Sequence, residues 1–465
     1  MNDITAIFAF LKYCFGSKED MSRVIACMNW QELYFFASKQ ALLGLCFEGI
    51  ERLGKKYPEE LKRNPIGREL LMTWMGKAQQ IRRQNMKVNA VAGKLFAMLR
   101  VDGMRCCVLK GQGNALMYPN PYSRTPGHID VWIDASRERI MEYAQKKFEL
   151  GDDIRLQHLE TSLDGVPVEL HFFPCSMNNP IYHARLQKWF RRNADLQSSH
   201  IVGLPDGAGD IAIPTMAFNV IYQLCHLYHH FFDEGIGMRQ IIDYFLVVND
   251  FSKNVFLDYD FSNHPVPLSK EGSTFSPSPS QWSLHPLRFP RFRGTETSGS
   301  GDVTAPSRCS EPLRSKDGGA SKPSPDCAGW DRRGVSGDTS SAFTTDSSAS
   351  TALVVVQREL KYLGLWKFAG AVMYVLKEVL GLAEDKMIVP MDEKRGRLLL
   401  AEILDGGNFG RHFTKYAGFT HQSMGKKYFL KIWRNMHFVR YYPAEALSEP
   451  IFRTWHFFWR VKNKK

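Results

Sequence analysis

Residues 108–134 read VLKGQGNALMYPNPYSRTPGHIDVWID, and this stretch decides the fold. The apolar run MRCCVLK (104–110) has the look of a buried strand, and it empties into the glycine turn Lys110-Gly111-Gln112-Gly113. GNALMYP then predicts a short helix stopped by Pro119, and IDVWID (129–134) a second strand. Downstream, SRERIMEYAQKKFEL (136–150) is a helix with Ser136 placed to cap it. IRLQHLE (154–160) and VPVELHFF (166–173) are two further strands, parted by the turn Leu163-Asp164-Gly165. Strand, helix, strand, helix, strand, strand over residues 96–175 predicts an α+β core with a small mixed sheet.

Outward from this core the period changes to that of helices. Residues 1–95 repeat apolar positions every three to four residues through ITAIFAFLKYCF, WQELYFFASKQALLGLCFEGIERL and a long stretch that Gly103 stops. After Pro174 the chain returns to helices over 176–254. Residues 255–350 turn abruptly to Ser, Pro, Gly and Thr, a composition that buries too little apolar surface to order, so a long disordered insert is expected. Helical patterning stops at GIGMRQIIDYFLVVND and resumes in VQRELKYLGLWKFAGAVMYVLKEVLGL, so the insert interrupts one helical body and 351–465 completes it.

Composition is that of an ordinary globular chain, with 44% hydrophobic and 23% charged residues. Asp3 and the lack of a basic n-region argue against a signal peptide, and no stretch is long and apolar enough to span a bilayer. Nine scattered cysteines without a Cys-x-x-Cys pair fit reduced thiols and a cytoplasmic location. The net charge of +12 sits mostly at the C-terminus, where twelve Lys and Arg from Arg411 onward face only Glu445 and Glu449. Rings interleave with them, from Trp433 to Trp459. That pattern suits phosphates and bases or another anionic surface, and it equally suits an amphipathic helix pair with core rings and solvated charges.

Chemistry concentrates on the small sheet. A glycine turn from strand to helix offers backbone N–H groups to phosphate. Period two puts His128 and Asp130 on one strand face, and Glu169 with His171 on one face of a later strand. Carboxylates on two neighbouring strands are what a hard cation bridging to phosphate requires. His226, His229 and His230 lack a Glu in the metalloprotease position and read as packed or hydrogen-bonded.

Together, the Leu-Lys-Gly turn, the Tyr-Pro segment, Arg124, Gly127-His128-Ile129-Asp130 and VPVELHFFP resemble the uncharacterised bacterial nucleotidyltransferase family of the polymerase-β-like superfamily. HLYHHFFDEGIGMRQIIDYF, with Gly237, Arg239 and Asp243, resembles its helical part. The resemblance implies a nucleotidyltransferase-type sheet, with Lys110, Gly111, Gly113 and Arg124 binding the nucleotide. It also implies Asp130 and Glu169 as catalytic, metal-holding acids. Where the family carries a first Asp, this chain has His128, which binds Mn²⁺ or Zn²⁺ better than Mg²⁺. Asp134 cannot replace it, being roughly 13 Å along an extended strand from Asp130. The implied activity is Mg²⁺- or Mn²⁺-dependent transfer of a nucleoside monophosphate from an NTP to a protein, nucleic acid or glycan, weakened by His128. The alternative is a catalytically inactive nucleotide-binding or interaction module of the same fold, and a third is a nucleic-acid binder acting through its tail.

Overall fold

The chain opens with α1 (Asp3–Cys14), α2 (Ser22–Cys27), α3 (Trp30–Lys39), α4 (Leu43–Lys56) and α5 (Pro58–Arg63), then runs through α6 (Arg68–Val101). This is seen in a computed structural model that describes residues 3–150, 155–254, 345–412 and 424–463. Local chemistry sets the helix ends. Asn29 caps α3 by accepting from the Gln31 and Glu32 amides, and Gly103, at φ 69°, turns the chain just past α6.

The sheet follows: β1 (Cys106–Leu109), α7 (Gly111–Ala115), β2 (Ile129–Ile133), α8 (Arg137–Lys147), β3 (His158–Leu163) and β4 (Val166–His171). The strand order is β1-β2-β4-β3. Strands β1 and β2 run antiparallel, β2 and β4 parallel, and β4 and β3 antiparallel. A parallel pair needs a crossover, and the segment carrying α8 supplies it. The β3–β4 hairpin turns through Asp164 and Gly165, at φ 49° and 70°, the backbone that a tight two-residue turn demands.

Period two divides the sheet into unlike faces. Val108, Val131, Val168 and Leu170 bury against Val88, Leu95 and Phe96 of α6 and Ile140 of α8, forming one core. The opposite face carries Cys107, Leu109 and Trp132, which join the larger helical core, and then the polar set Asp130, Glu169, His171 and His158.

Helices α9 (Pro180–Ser199), α10 (Met216–Asp233) and α11 (Met238–Asn254) come next, with β5 (Ile201–Gly203) and β6 (Asp210–Ala212) between α9 and α10. The helical reading of 176–254 missed this hairpin. Its strands are three residues each, too short for an alternating pattern to register, and its turn, Leu204-Pro205-Asp206-Gly207, was the only local signal. Beyond it lie α12 (Thr345–Tyr362), α13 (Trp366–Leu380), α14 (Glu393–Gly406), α15 (Met424–Met436) and α16 (Pro443–Asn463). The insert expected over 255–350 falls outside the described residues up to 344, and α12 begins at Thr345. The fold is α+β, a small mixed sheet among helices on both sides.

The tail rings divide between core and solvent. Phe438 and Tyr442 are buried beside Phe231 of α10, whereas Trp455, Phe457 and Phe458 of α16 stay exposed. Arg434 donates to the Phe231 carbonyl at 2.8 Å, and Lys431 and Arg453 reach Asp233 at 3.0 and 2.9 Å. Among the described residues no helix is long and apolar enough to cross a membrane.

Candidate active site

Register brings the acids together. Asp130 of β2 lies opposite Glu169 of β4, and His158 of β3 lies opposite His171 of β4. These residues floor a cavity of about 720 Å³ whose wall includes Lys110, Gly111 and Arg124. His171 is the clasp of the group: its Nε2 stands 3.1 Å from Asp130 Oδ1 and 3.2 Å from Glu169 Oε2. Gln157 Nε2 donates to the Pro174 carbonyl at 2.9 Å and faces His171 Nδ1 at 3.3 Å, so Nδ1 accepts and Nε2 carries the hydrogen to the acids.

Lys110 sits at the end of β1 with φ 52°, a conformation that turns the chain sharply into α7. Its Nζ lies 3.2 Å from Asp130 Oδ1 and 3.1 Å from His226 Nε2, which must accept. Buried amides hold this turn: Gln112 bonds Asn89 of α6, and Asn114 and Gln223 of α10 exchange bonds of 3.0 and 2.7 Å. Asn85 of α6 fixes the segment before β2 through the Tyr122 and Arg124 carbonyls, at 3.0 and 2.8 Å.

His128 does come to the acids: its Nε2 is 3.4 Å from Asp130 Oδ1 and 3.5 Å from Glu169 Oε1. The charge of Asp130 raises its pKa against burial. Burial alone would raise the two carboxyls, but it is outweighed. Lys110 and then His128 and His171 hold Asp130 well below the usual carboxylate range, and His171, with the charge of His128, holds Glu169 at about 2. His158 is buried, neither ring nitrogen has a hydrogen-bond partner, and burial pushes it down to about 4.

Arg124 does not touch the acids. It forms a buried bidentate pair with Asp243 of α11, at 2.8 and 2.7 Å, and Tyr118 also donates to that carboxylate. Gly113 turns away from the cavity: a Cβ there would press on Ile213 Cγ2 at 2.9 Å. In a helix as short as α7, a step of two residues from Gly111 reverses the side that faces the cavity.

Sequence reasoning gave His158, Gln157 and Arg239 no role in the site. Only Arg239 left a trace, in the Gly237-x-Arg239 pair; the other two come from β3 and the residue before it, where the strand begins four residues later than its apolar pattern suggested. The i, i+4 row Phe218, Tyr222, His226, His230 on α10 was partly legible. Its rings lie 6.0, 6.3 and 4.3 Å apart, apolar against Trp132 and imidazole where the helix reaches the cavity.

The donors fit a divalent cation. His128 Nε2 lies 3.4 Å from an Asp130 oxygen and 3.5 Å from a Glu169 oxygen, and the ligand atoms of the three residues fall within 4.8 Å of one another. His158, Glu169 and His171 form a second cluster of ligand atoms. Residues 26–262, just over half of the chain, match the family described as an uncharacterised nucleotidyltransferase. No curated protein and no solved structure matches the chain.

Proposed function

The chain belongs to the uncharacterised nucleotidyltransferase family, and from that premise we propose that it moves a nucleoside monophosphate from an NTP to an acceptor hydroxyl, with pyrophosphate leaving. The observation that carries the reading is the pairing of Asp130 with Glu169 across parallel strands, beside Lys110 and Gly111 on one cavity. Asp130, Glu169 and His128 would hold Mg²⁺ or Mn²⁺, which when bound supplies positive charge against the triphosphate. Lys110 would exchange Asp130 for phosphate oxygens, and the Gly111 amide, at the start of α7, would donate to another. Glu169, ionised at any physiological pH, would orient the attacking hydroxyl by accepting its hydrogen bond. A protein, nucleic acid or glycan hydroxyl would each serve as acceptor. Contact of the basic tail with nucleic acid or an anionic surface should weaken steeply with salt.

Restoring the family's acid tests this reading. His128→Asp is expected to raise Mg²⁺-dependent pyrophosphate release at least ~10-fold, about 1.4 kcal/mol of transition-state stabilisation, while the wild type works relatively better with Mn²⁺. Asp130→Ala should abolish turnover in both backgrounds. A wild type as fast as His128→Asp in Mg²⁺ overturns the three-ligand account.

One observation favours the second reading, an inactive nucleotide-binding module. Lys110, His128 and His171 all stand within 3.4 Å of Asp130 Oδ1, so its charge is already matched by side chains. NTP binding without turnover under either metal would select it.

A further inference from the structure

Arg239 stands on the cavity wall without a carboxylate of its own. It lies in the first turn of α11, is 9% exposed, and donates Nη1 to the Thr125 carbonyl at 3.0 Å, while its Nε has no hydrogen-bond partner. Asp243, one turn further on, is committed to Arg124 through both oxygens, and Arg124 keeps its own Nη1 without a partner. Two buried guanidiniums therefore share one carboxylate. Burial, with the charge of Arg124, pushes Arg239 down to about 10. A buried cation only partly matched is costly, and orphaned N–H groups in a folded protein point to a partner that completes them.

The guanidinium is also met from the far side of the chain. A Cβ on Gly237 would lie 2.6 Å from the Asn408 Cα, so the absence of a side chain lets the turn at 407–411 dock against the start of α11. In that turn Gly407, Phe409 and Gly410 take φ of 63°, 55° and 62°. The result sets the Phe409 ring 5.6 Å from the Arg239 guanidinium, within reach of a cation–π contact. Residues 26–262 include Gly237 and Arg239 but not Phe409, so the family segment alone does not build this wall.

We propose that Arg239, faced by Phe409 and joined by the free Nη1 of Arg124, is an anion subsite for a phosphoryl group. The proposal rests on the nucleotide reading of the cavity and not on turnover. A planar fork suits two phosphate oxygens at once. The phosphoryl group belongs either to the triphosphate chain of the NTP or to a phosphate carried by the acceptor.

Calorimetric titration of the full chain with ATP, tripolyphosphate and inorganic phosphate tests it. Arg239→Gln should weaken tripolyphosphate binding ~10-fold or more, and Arg239→Lys, which keeps the charge without the fork, should fall between. Phe409→Ala should weaken it several-fold and Phe409→Tyr should restore it, with circular dichroism confirming that each variant is folded. Competition between inorganic phosphate and ATP assigns the subsite to the NTP chain, whereas independent binding of both assigns it to an acceptor phosphate. Equal tripolyphosphate affinity in wild type, Arg239→Lys and Phe409→Ala overturns the subsite and leaves the transferase reading standing. A wild type that binds neither ATP nor tripolyphosphate overturns both.

Discussion

At position 110 backbone and side chain make opposing demands. Lys110 holds φ 52° and ψ −129°, a region in which glycine is at ease and other residues are strained, yet its ammonium is what reaches Asp130 and His226. Lys110→Gly and Lys110→Ala should both weaken NTP affinity ~10-fold, the scale of one charge-assisted contact. The two should part in stability, with the glycine variant higher by about 1 kcal/mol in denaturant unfolding because Ala keeps the strain. An alanine variant as stable as the glycine one would remove the strain argument. Which residues the sequence exposed follows from their range. His128, Asp130 and Glu169 were legible because strand alternation is local, and Lys110 because a turn announces itself. The partner of Arg124 is 119 positions away, and the orientation of Gly113 depends on Ile213, so neither could be read from neighbours.

Among the elements, α6 carries more than its amphipathic pattern announces. Its Asn85 and Asn89 face inward, each three residues from Val88 or Ala92 on the apolar stripe, and hold the site's two loops by their amides. Further along, Gly93 meets the β5–β6 hairpin so closely that a Cβ would fall on the Ala208 carbonyl. Elsewhere in a helix Gly→Ala gains about 1 kcal/mol, but here the clash should win. Gly93→Ala is expected to lower the unfolding free energy by roughly 2 kcal/mol, read by denaturant titration. A stabilised variant would mean that the hairpin moves aside freely. The four strands of the main sheet could be found from sequence because each has an apolar face to show; the short hairpin lacked the length, and its place against α6 is a tertiary fact.

For the whole molecule, buried histidines contribute to the response to acid, against the buried Glu445, whose carboxyl burial raises to about 7. Burial, chiefly, holds His229 at about 4, as it does His158. Above pH ~6.5 neither folded nor unfolded chain binds these protons; between ~6.5 and about 4 the unfolded chain binds them first, so stability falls on acidification. His128 and His171 act in the other direction, since their raised pKa values contribute stability that is present at low pH and lost as pH rises through them. His229→Phe should therefore flatten the decline of Tm between pH 6.5 and 4, and an unchanged slope would exclude His229 from it. Sequence composition also marked residues 255–350 as separable; cutting out 262–340 should leave Tm within a few degrees.

The described body is made of two stretches of chain, and they share their interior. Tyr228 and Phe231 of α10 meet Phe368 and Phe438 from the second stretch at 4.8 and 4.5 Å, while Phe409 from that stretch faces Arg239 of the first. Neither stretch alone therefore possesses a finished phosphate wall. Severed anywhere within 262–340 and produced as two polypeptides, the protein becomes a fragment-complementation pair, whose halves should co-purify and recover tripolyphosphate affinity only in each other's company.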